Sequence, residues 1–424
     1  MVDLRITDFF PGFLVPVEAY PSFLAGFALL FVSIYTFTIK ANTAGCALIR
    51  FAFAPLAVRC FLDFGYAGYN TPGRQPAVGM ATICIYGIFR VIDTTIVSLF
   101  DERPPAWINK ADGKVIPMPS SVGGRLLYSF DLLTSLRGIS SLPDRYWEWA
   151  PRPLTTYSPS SRLDFLKERF VTLVSSYLLV DLFDTLNKSR DWDPSNRHPI
   201  TSLSVPEQIV FATSVCVGIV LALINTTALV SFVAVALGSP PACWPPMFDG
   251  NTLGPFTASS LTDFWTRRWH ATFRRTFARL AVPPLALVSK LFLGQPYVHR
   301  LARLFLTFGA STLLHCFIMF RMDFHPQWHN PDGPILFDSS IIAFFMLQPI
   351  GLLAEWLVIV PVSKALFGEK GSQRVTRVWV WCFVVFTGRY WSDCWVHRGM
   401  WHPSEKVMGY SLVRGLLYGR WPID

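Results

Sequence analysis

The feature that most constrains this chain is a long uncharged stretch, residues 209–248, in which no acidic or basic side chain occurs. A helix needs ~20 mostly apolar residues to cross the hydrocarbon core of a bilayer, so this stretch is long enough to span one. We predict a spanning helix that ends near Leu237, because Gly238-Ser239-Pro240-Pro241 follows as a stop signal. The composition agrees, since only 15% of the residues are charged, against ~25% in soluble domains.

Several further segments have the apolarity of membrane elements. They are residues 23–39, 44–62, 77–100, 170–186, 304–320, 339–362 and 378–386. The segment 281–293 contains Pro283-Pro284 and is too short to span, so we predict that it is re-entrant. Residues 124–138 have helical periodicity and predict a helix lying on the membrane. The sequence therefore predicts an all-α polytopic membrane helix bundle with about eight or nine membrane elements.

The charge balance indicates the orientation and the partners. The formal net charge is +9, and in a membrane protein excess Lys and Arg mainly reflects cytoplasmic loops and anionic lipid. The connection 101–169 carries ten basic residues, which places it in the cytoplasm, and the arginine-rich segment after residue 260 follows two crossings later. The basic residues are scattered between apolar spans, so membrane lipid or a polyanionic cosubstrate is an expected partner and nucleic acid is not.

The segment 261–279 is the densest concentration of arginine and aromatic residues in the chain. On a helical projection, its arginines occupy one arc, and its aromatic residues occupy the other side. The arginines are Arg267, Arg268, Arg274, Arg275 and Arg279, and the aromatic residues are Trp265, Trp269, Phe273 and Phe277. His270 falls at the border between them. This pattern predicts one amphipathic helix at the membrane interface, and a purely structural basic helix is the alternative interpretation.

His315 lies inside the apolar segment 304–320, with no other acidic or basic residue between Arg303 and Arg321. The run Gly309-Ala310-Ser311-Thr312 just before it leaves space for a ligand or a close helix. A neutral imidazole is tolerated in such a place and is suited to proton transfer near neutral pH. The alternative is a hydrogen-bonded packing residue.

Three sequence motifs resemble one family. The residues Asp263-Phe264-Trp265-Thr266-Arg267-Arg268-Trp269-His270 resemble the FWxRRWH signature of the wax synthase-like branch of the membrane-bound O-acyltransferases. The stretch from Phe308 to His315 resembles that family's small residues followed by Leu-Leu-His, and 131–138 resembles a segment common in fungal members. The order and spacing agree over most of the chain.

The resemblance implies a single membrane-bound O-acyltransferase domain over 1–424, with its motif region at about 240–325, built around an intramembrane tunnel. It implies transfer of an acyl group from acyl-CoA, a cosubstrate rather than a bound cofactor, to an alcohol. His315 would be the general base and His270 the second catalytic residue, although relatives can have asparagine there. Cys316 departs from the glutamate that relatives often carry. We expect the CoA moiety to meet Arg267, Arg268, Arg274, Arg275, Trp265, Trp269 and Lys290.

The substrate expected from the resemblance is narrower. The chain resembles fungal enzymes that acetylate terpenoid alcohols. This resemblance implies acetyl-CoA, a hydrophobic terpenoid acceptor and the endoplasmic reticulum membrane. A wax-ester synthase acting on a long-chain alcohol and fatty acyl-CoA is the alternative within the class. A non-catalytic transporter using His315, Glu355 and Arg90 as buried polar sites is the alternative outside it.

Two other patterns raise metal-dependent functions, and we reject both. Asp181 and Asp184 form a DxxD, but a diphosphate-binding enzyme needs a second such motif, so we interpret them as a helix end reaching water. His325 and His329 form an HxxxH interrupted by Pro326, which disfavours a helical pair. The eight cysteines are dispersed without a CxxC pair. We therefore predict no metal site.

Overall fold

The computed structural model describes a helical membrane protein with one small sheet. The described residues are 15–40, 43–66, 73–159, 161–193, 195–248, 254–269, 272–292, 294–324, 333–403, 405, 407 and 409–421. The predicted all-α polytopic bundle is confirmed.

The α-helices are named here in chain order. They are α1 (Tyr20–Tyr35), α2 (Phe37–Lys40), α3 (Ala44–Tyr66), α4 (Arg74–Thr95), α5 (Val122–Thr134), α6 (Arg152–Thr155), α7 (Arg162–Lys188), α8 (Val205–Ala236), α9 (Leu261–Asp263), α10 (Arg274–Leu280), α11 (Val282–Leu291), α12 (Pro296–Met322), α13 (Ser339–Ala354), α14 (Val360–His397) and α15 (Leu412–Tyr418). Short 3-10 turns occur at Val17–Ala19, Val97–Phe100, Pro241–Cys243 and Gly254–Thr257, and π-turns at Phe264–Arg268 and Glu355–Ile359.

Seven stretches of the described chain are long and apolar enough to cross a membrane. They are Val17–Ile39, Ala44–Tyr66, Arg74–Phe100, Arg162–Lys188, Val205–Ala236, Pro296–Met322 and Ser339–His397. The longest uninterrupted helix, α8, begins with a capping box in which Ser204 and Glu207 satisfy each other's backbone N–H groups. It ends at Ala236, just before Gly238, whose φ of 112° a helix cannot continue.

The last of these stretches is a hairpin rather than one long rod. At Gly368 the backbone leaves the helix with φ 64° and ψ −176°. Ser363 and Ser372 share a hydrogen bond of 2.7 Å, and Gln348 donates to Thr387 at 3.1 Å. The two residues of each pair are almost equally far from Gly368 in sequence, so the two arms of the hairpin run antiparallel. The described chain therefore provides eight crossing segments.

The loops separate into two ends of the bundle, as the crossings require. The described parts of the loops 101–161 and 237–295 meet at one end, the basic end, where Arg137 donates to Pro246 O at 2.6 Å. The described parts of the segments 189–204, 323–338 and 398–421 meet at the other, the C-terminal end, where Arg398 binds Asp338 at 2.8 Å. The predicted placement of 101–169 and the arginine segment on one side is thus confirmed.

A small cap covers the basic end. Strand β1 (Trp107–Asn109) pairs antiparallel with β2 (Val115–Ile116) on one side and β3 (Arg145–Trp147) on the other. The predicted surface helix is α5, which Ser121 caps by accepting from Gly124 N at 3.1 Å. It ends at Thr134, earlier than predicted. Helix α11, predicted to be re-entrant, has 10 residues and at 1.5 Å per residue is roughly half the thickness of a bilayer core.

Candidate active site

His315 lies in α12, two turns before the helix ends at Met322. Its ring stacks on Phe345 of α13 with 4.4 Å between centroids, and Trp391 of α14 meets it edge to face at 4.8 Å. Three helices therefore converge on this imidazole, which is partly buried. The pair Phe344–Phe345 and Trp391 also contact one another, so the ring sits against an aromatic wall.

The hydrogen bond of His315 determines which ring nitrogen is free to act. Nδ1 lies 2.8 Å from the carbonyl oxygen of Ser311, one turn earlier in the same helix. A carbonyl oxygen can only accept, so Nδ1 carries the proton of the neutral ring. Nε2 then bears the lone pair. The local geometry thus assigns a tautomer whose second nitrogen can accept a proton from a substrate.

A second polar layer lies one turn nearer the basic end. Gln348 of α13 is fully buried, and its amide donates to Phe344 O at 2.9 Å and Thr387 Oγ1 at 3.1 Å. Its Oε1 accepts from Trp265 Nε1 at 3.1 Å. Trp265 also meets Phe308, two turns before His315, edge to face at 5.4 Å. The segment 261–269, called the Trp-Arg-Arg motif, is therefore joined to the His315 layer through α12 and α13.

The arginine segment is not the single amphipathic helix that its periodicity predicts. Helix α9 passes into the π-turn Phe264–Arg268, and Trp269 is extended with ψ 150°. Phe264, Trp265 and Trp269 pack together and against Trp381 of α14. The prediction was wrong because this tertiary packing of aromatic rings overrides the helical period. After the break the chain resumes as α10.

Two arginines of the segment 261–279 are paired with a carboxylate. Arg275 Nη1 lies 2.8 Å from Asp93 Oδ2, and Arg279 Nε lies 2.7 Å from Asp93 Oδ1. Burial lowers the pKa of Arg275. Burial alone would also lower the pKa of Arg279, but its bonds to Asp101 and Asp93 raise it above the usual value. Arg90 lies 3.4 Å from Asp93 and joins the same cluster.

The other predicted CoA contacts differ in how exposed their side chains are. Arg267, Arg274 and Lys290 are exposed, and Arg274 donates only to the backbone oxygen of Thr266 in a contact of 3.0 Å. Arg268 is half-buried and lies 3.3 Å from Asp263. Trp265 and Trp269 are packing residues in the cluster described above. Three of the seven predicted CoA contacts are therefore exposed cations at the basic end.

The segment 131–138, which the sequence singled out, organises the cap. Asp131 is completely buried and accepts from Trp107 Nε1 and Ser140 Oγ, both at 2.8 Å. Arg137 donates to Pro245 O and Pro246 O at 2.9 and 2.6 Å. Burial lowers the pKa of Arg137 to about 10, with repulsion from Arg169 as the second cause. These residues hold the loop that precedes the motif rather than a ligand.

Three comparisons of detail correct or limit the sequence analysis. Asp181 and Asp184 are buried rather than at a helix end in water: Asp181 accepts from Val413 N at 2.8 Å, and Asp184 binds Arg414 at 2.9 Å. Asp184 also pairs with Lys188 one turn away at 3.0 Å, but Val413 and Arg414 come from the C-terminal segment, which local sequence could not indicate. His270, His325 and His329 lie outside the described residues. The described residues contain no cluster of His, Cys, Asp and Glu able to hold a metal ion.

Comparison with known proteins connects this geometry to an activity. Residues 244–347, which include the motif and His315, match the model of the membrane bound O-acyl transferase family. An acetyltransferase, ple2, of Rhodocybe pseudopiperita is 26% identical over 311 residues, covering 70% of this chain and 73% of the relative. An acetyltransferase, eriL, of Hericium erinaceus is 24% identical over 308 residues, covering 71% and 74%.

This chain is an acyltransferase whose motif region is similar to the membrane-bound O-acyltransferases. The resemblance predicted from the three motifs, the enzymatic class and the integral membrane character are thereby confirmed. Such an enzyme needs an acyl donor and a hydroxyl acceptor. Sequence reasoning missed Gln348 and the role of Asp93 in binding two arginines of α10, because both contacts join segments that are far apart in the chain.

Proposed function

We propose that this enzyme transfers an acetyl group from acetyl-CoA to a hydroxyl group of a terpenoid-like alcohol, with His315 as the general base. The observation that carries the proposal is the tautomer of His315, whose Nδ1 is committed to Ser311 O and whose Nε2 is the accepting nitrogen. A hydroxyl is a weak nucleophile until a base takes its proton. No other described histidine lies within the family-matched region 244–347 except His299, which is near the start of α12.

One proton moves twice in the proposed reaction, first from the acceptor hydroxyl to His315 and then from His315 to the leaving thiolate. Nε2 of His315 accepts the proton of the acceptor hydroxyl as its oxygen attacks the thioester carbonyl carbon. The tetrahedral intermediate collapses, the carbon–sulfur bond breaks, and the imidazolium returns the proton to the leaving thiolate. The faces of Phe345 and Trp391 suit a transient cation through their ring electrons. Ser311 O stabilises it further as an acceptor for Nδ1–H.

The acyl-CoA head is assigned to the basic end. Arg267, Arg274 and Lys290 are exposed there, and a guanidinium pairs well with phosphate oxygens. The loop 237–295 contains six Lys and Arg residues, whereas 323–338 at the opposite end contains none. By the positive-inside rule the basic end faces the cytoplasm, where acyl-CoA is available. We assign the enzyme to the endoplasmic reticulum membrane, and His270 remains a candidate for stabilising the developing oxyanion.

The acetyl donor is supported by the names of both relatives, each of which is an acetyltransferase. The terpenoid acceptor is supported by the motif resemblance to fungal enzymes that acetylate terpenoid alcohols. A small acyl group also suits the aromatic wall of Phe344, Phe345 and Trp391 beside His315, because bulky rings leave less room there than small side chains do.

The test is a transfer assay with membranes from a heterologous host that expresses the chain. Labelled acetyl-CoA and labelled palmitoyl-CoA are each offered with a panel of terpenoid and fatty alcohols, and free thiol and labelled ester are measured. The proposal predicts acetyl esters of terpenoid alcohols and release of one thiol per ester. Palmitoyl esters of fatty alcohols alone would identify a wax-ester synthase instead. Membranes with His315→Ala protein at equal abundance serve as the control.

A further inference from the structure

Glu355 is a buried carboxylate inside the membrane hairpin that none of the steps above uses. Its side chain is 1% exposed, and it begins the π-turn Glu355–Ile359 between α13 and α14. A lone acidic side chain at membrane depth is costly unless its oxygens are satisfied. Within the described part of the chain, Glu355 forms no ion pair with Lys, Arg or His, so its partners must be neutral donors.

Those donors all belong to the start of the Trp-Arg-Arg motif. Oε2 accepts from Leu261 N at 2.6 Å, and Oε1 accepts from Thr262 N at 3.0 Å and Thr262 Oγ1 at 2.7 Å. Leu261 and Thr262 are the first residues of α9, where backbone N–H groups have no partner within the helix. The next backbone N–H, that of Asp263, donates to Ser260 Oγ at 2.9 Å. Glu355 and Ser260 thus complete the first turn of the motif.

A second attachment fixes the direction of the motif along the hairpin. Trp265 binds Gln348, which precedes Glu355 by two turns on the same arm, or about 10 Å. Trp356, next to Glu355, donates to Thr262 Oγ1 at 2.8 Å. Phe345, one turn before Gln348, stacks on His315. The hairpin therefore holds both the motif and the ring of His315, and it holds the motif at two points.

We propose that Glu355 is a positioning residue for acyl transfer, which sets the motif and its exposed Arg267 in register with His315. This inference rests on the acyl transfer proposed above. The chemistry requires a carboxylate, because both oxygens accept from the motif. A glutamine keeps the shape but turns an amide NH₂ toward N–H donors, so one side of the attachment is lost.

The experiment compares Glu355→Gln with Glu369→Gln in purified, lipid-reconstituted protein. Glu369 is an exposed glutamate on the same hairpin, paired with Lys364 at 3.0 Å, and is the matched control. The first measurement is hydrogen exchange of the peptide containing residues 261–268, which needs no turnover. We expect faster exchange in Glu355→Gln only. Unchanged protection would overturn the attachment, whatever the activity of the enzyme.

The second measurement is the kinetics of acetyl transfer in the same preparations. We expect Glu355→Gln to lower kcat/KM for acetyl-CoA by about 10-fold or more, with a smaller change in KM for the alcohol, because the motif carries the exposed Arg267. Equal kinetics in both glutamine variants would overturn the positioning role. A wild-type enzyme that transfers no acyl group would refute the proposed function but leave the exchange result interpretable.

A milder variant keeps the proposal testable if the Glu355→Gln protein does not fold. Thr262→Val removes the hydroxyl contacts to Glu355 and Trp356, keeps the backbone contact to Glu355 and keeps the side-chain shape. We expect about a threefold loss of kcat/KM for acetyl-CoA, and in combination with Glu355→Gln less than the product of the two single effects. If Glu355→Gln does not accumulate, an unchanged kcat/KM in Thr262→Val overturns the proposal by itself.

Discussion

The two ends of the bundle each contain a buried ion-pair cluster, and their charges are opposite. At the basic end three arginines share two carboxylates: Arg90, Arg275 and Arg279 with Asp93 and Asp101. At the C-terminal end one arginine serves two carboxylates: Arg398 lies 2.9 Å from Asp323 and 2.8 Å from Asp338. The first cluster has a surplus cation and the second a surplus carboxylate.

This difference in charge distinguishes the basic end, to which we assign the ligand, from the C-terminal end, to which we assign a structural role. Asp323, Asp338 and Arg398 lie about two turns from His315, Phe345 and Trp391 on the same three helices. The C-terminal cluster therefore fixes the helices that hold the base. The basic cluster joins α4 to α10 and leaves positive charge at the end to which we assign acyl-CoA. We expect the C-terminal cluster to govern stability and the basic cluster to govern stability and donor binding together.

The largest predicted effect is on the C-terminal cluster. Arg398→Met leaves two carboxylates without their cation, and breaking a buried pair in this way typically costs about 3–5 kcal/mol. We expect a strongly lowered thermal midpoint and low abundance in detergent-solubilised protein. Arg59→Met is the control, since the Arg59–Asp63 pair is exposed and such pairs contribute about 0–1 kcal/mol. Equal midpoints for the two variants would remove the structural role of Arg398.

A smaller effect is expected from Asp93→Asn at the basic end. Arg279 keeps Asp101, and Arg275 keeps the face of Trp149, 4.3 Å away. We therefore expect a loss of about 1.5–3 kcal/mol, the range for a hydrogen bond to a charged group. The thermal midpoint should fall between wild type and Arg398→Met, and KM for acetyl-CoA should rise because α10 is less firmly held. A larger loss of stability than in Arg398→Met would reverse the comparison.

The smallest effect on stability should come from the exposed cations. Arg267→Gln combined with Arg274→Gln should change the free energy of unfolding by less than about 0.5 kcal/mol, since surface substitutions rarely do more. KM for acetyl-CoA should rise by about 3–10-fold and the salt dependence of KM should weaken. Lys114→Gln, an exposed cation in the cap paired with Asp112, is the matched control. An unchanged KM for acetyl-CoA would remove these two arginines from donor binding.

The bundle could be predicted from the sequence because its signal is local. The long helices contain largely apolar runs, such as 209–236 within α8, which can be recognised without knowledge of their neighbours. His315 was also predictable, since a single imidazole inside such a run is conspicuous. The motif resemblance then supplied the enzyme class, which the family match confirms.

The errors occurred where a distant partner decides the structure. The helical period of 261–279 is genuine, but Glu355, Gln348 and Trp381 hold its first half in a π-turn followed by an extended residue. Asp181 was assigned to water because its partners, Ser411 and Val413, lie more than two hundred residues away. The sequence also predicts that all five arginines of the segment 261–279 bind phosphate, but Asp93 and Asp101 pair with two of them. Composition gives the number of charged residues but does not indicate which of them form ion pairs.

The central claim is that His315 transfers a proton, and comparison of two variants tests it most directly. His315→Gln preserves much of the packing and one hydrogen bond, whereas His315→Ala removes both. General-base catalysis contributes about 10²–10⁴-fold to rate, so both variants should lose at least that much kcat in acetyl transfer, at normal abundance and with normal acetyl-CoA binding. Near-normal turnover in His315→Gln would make His315 a structural residue and contradict the mechanism.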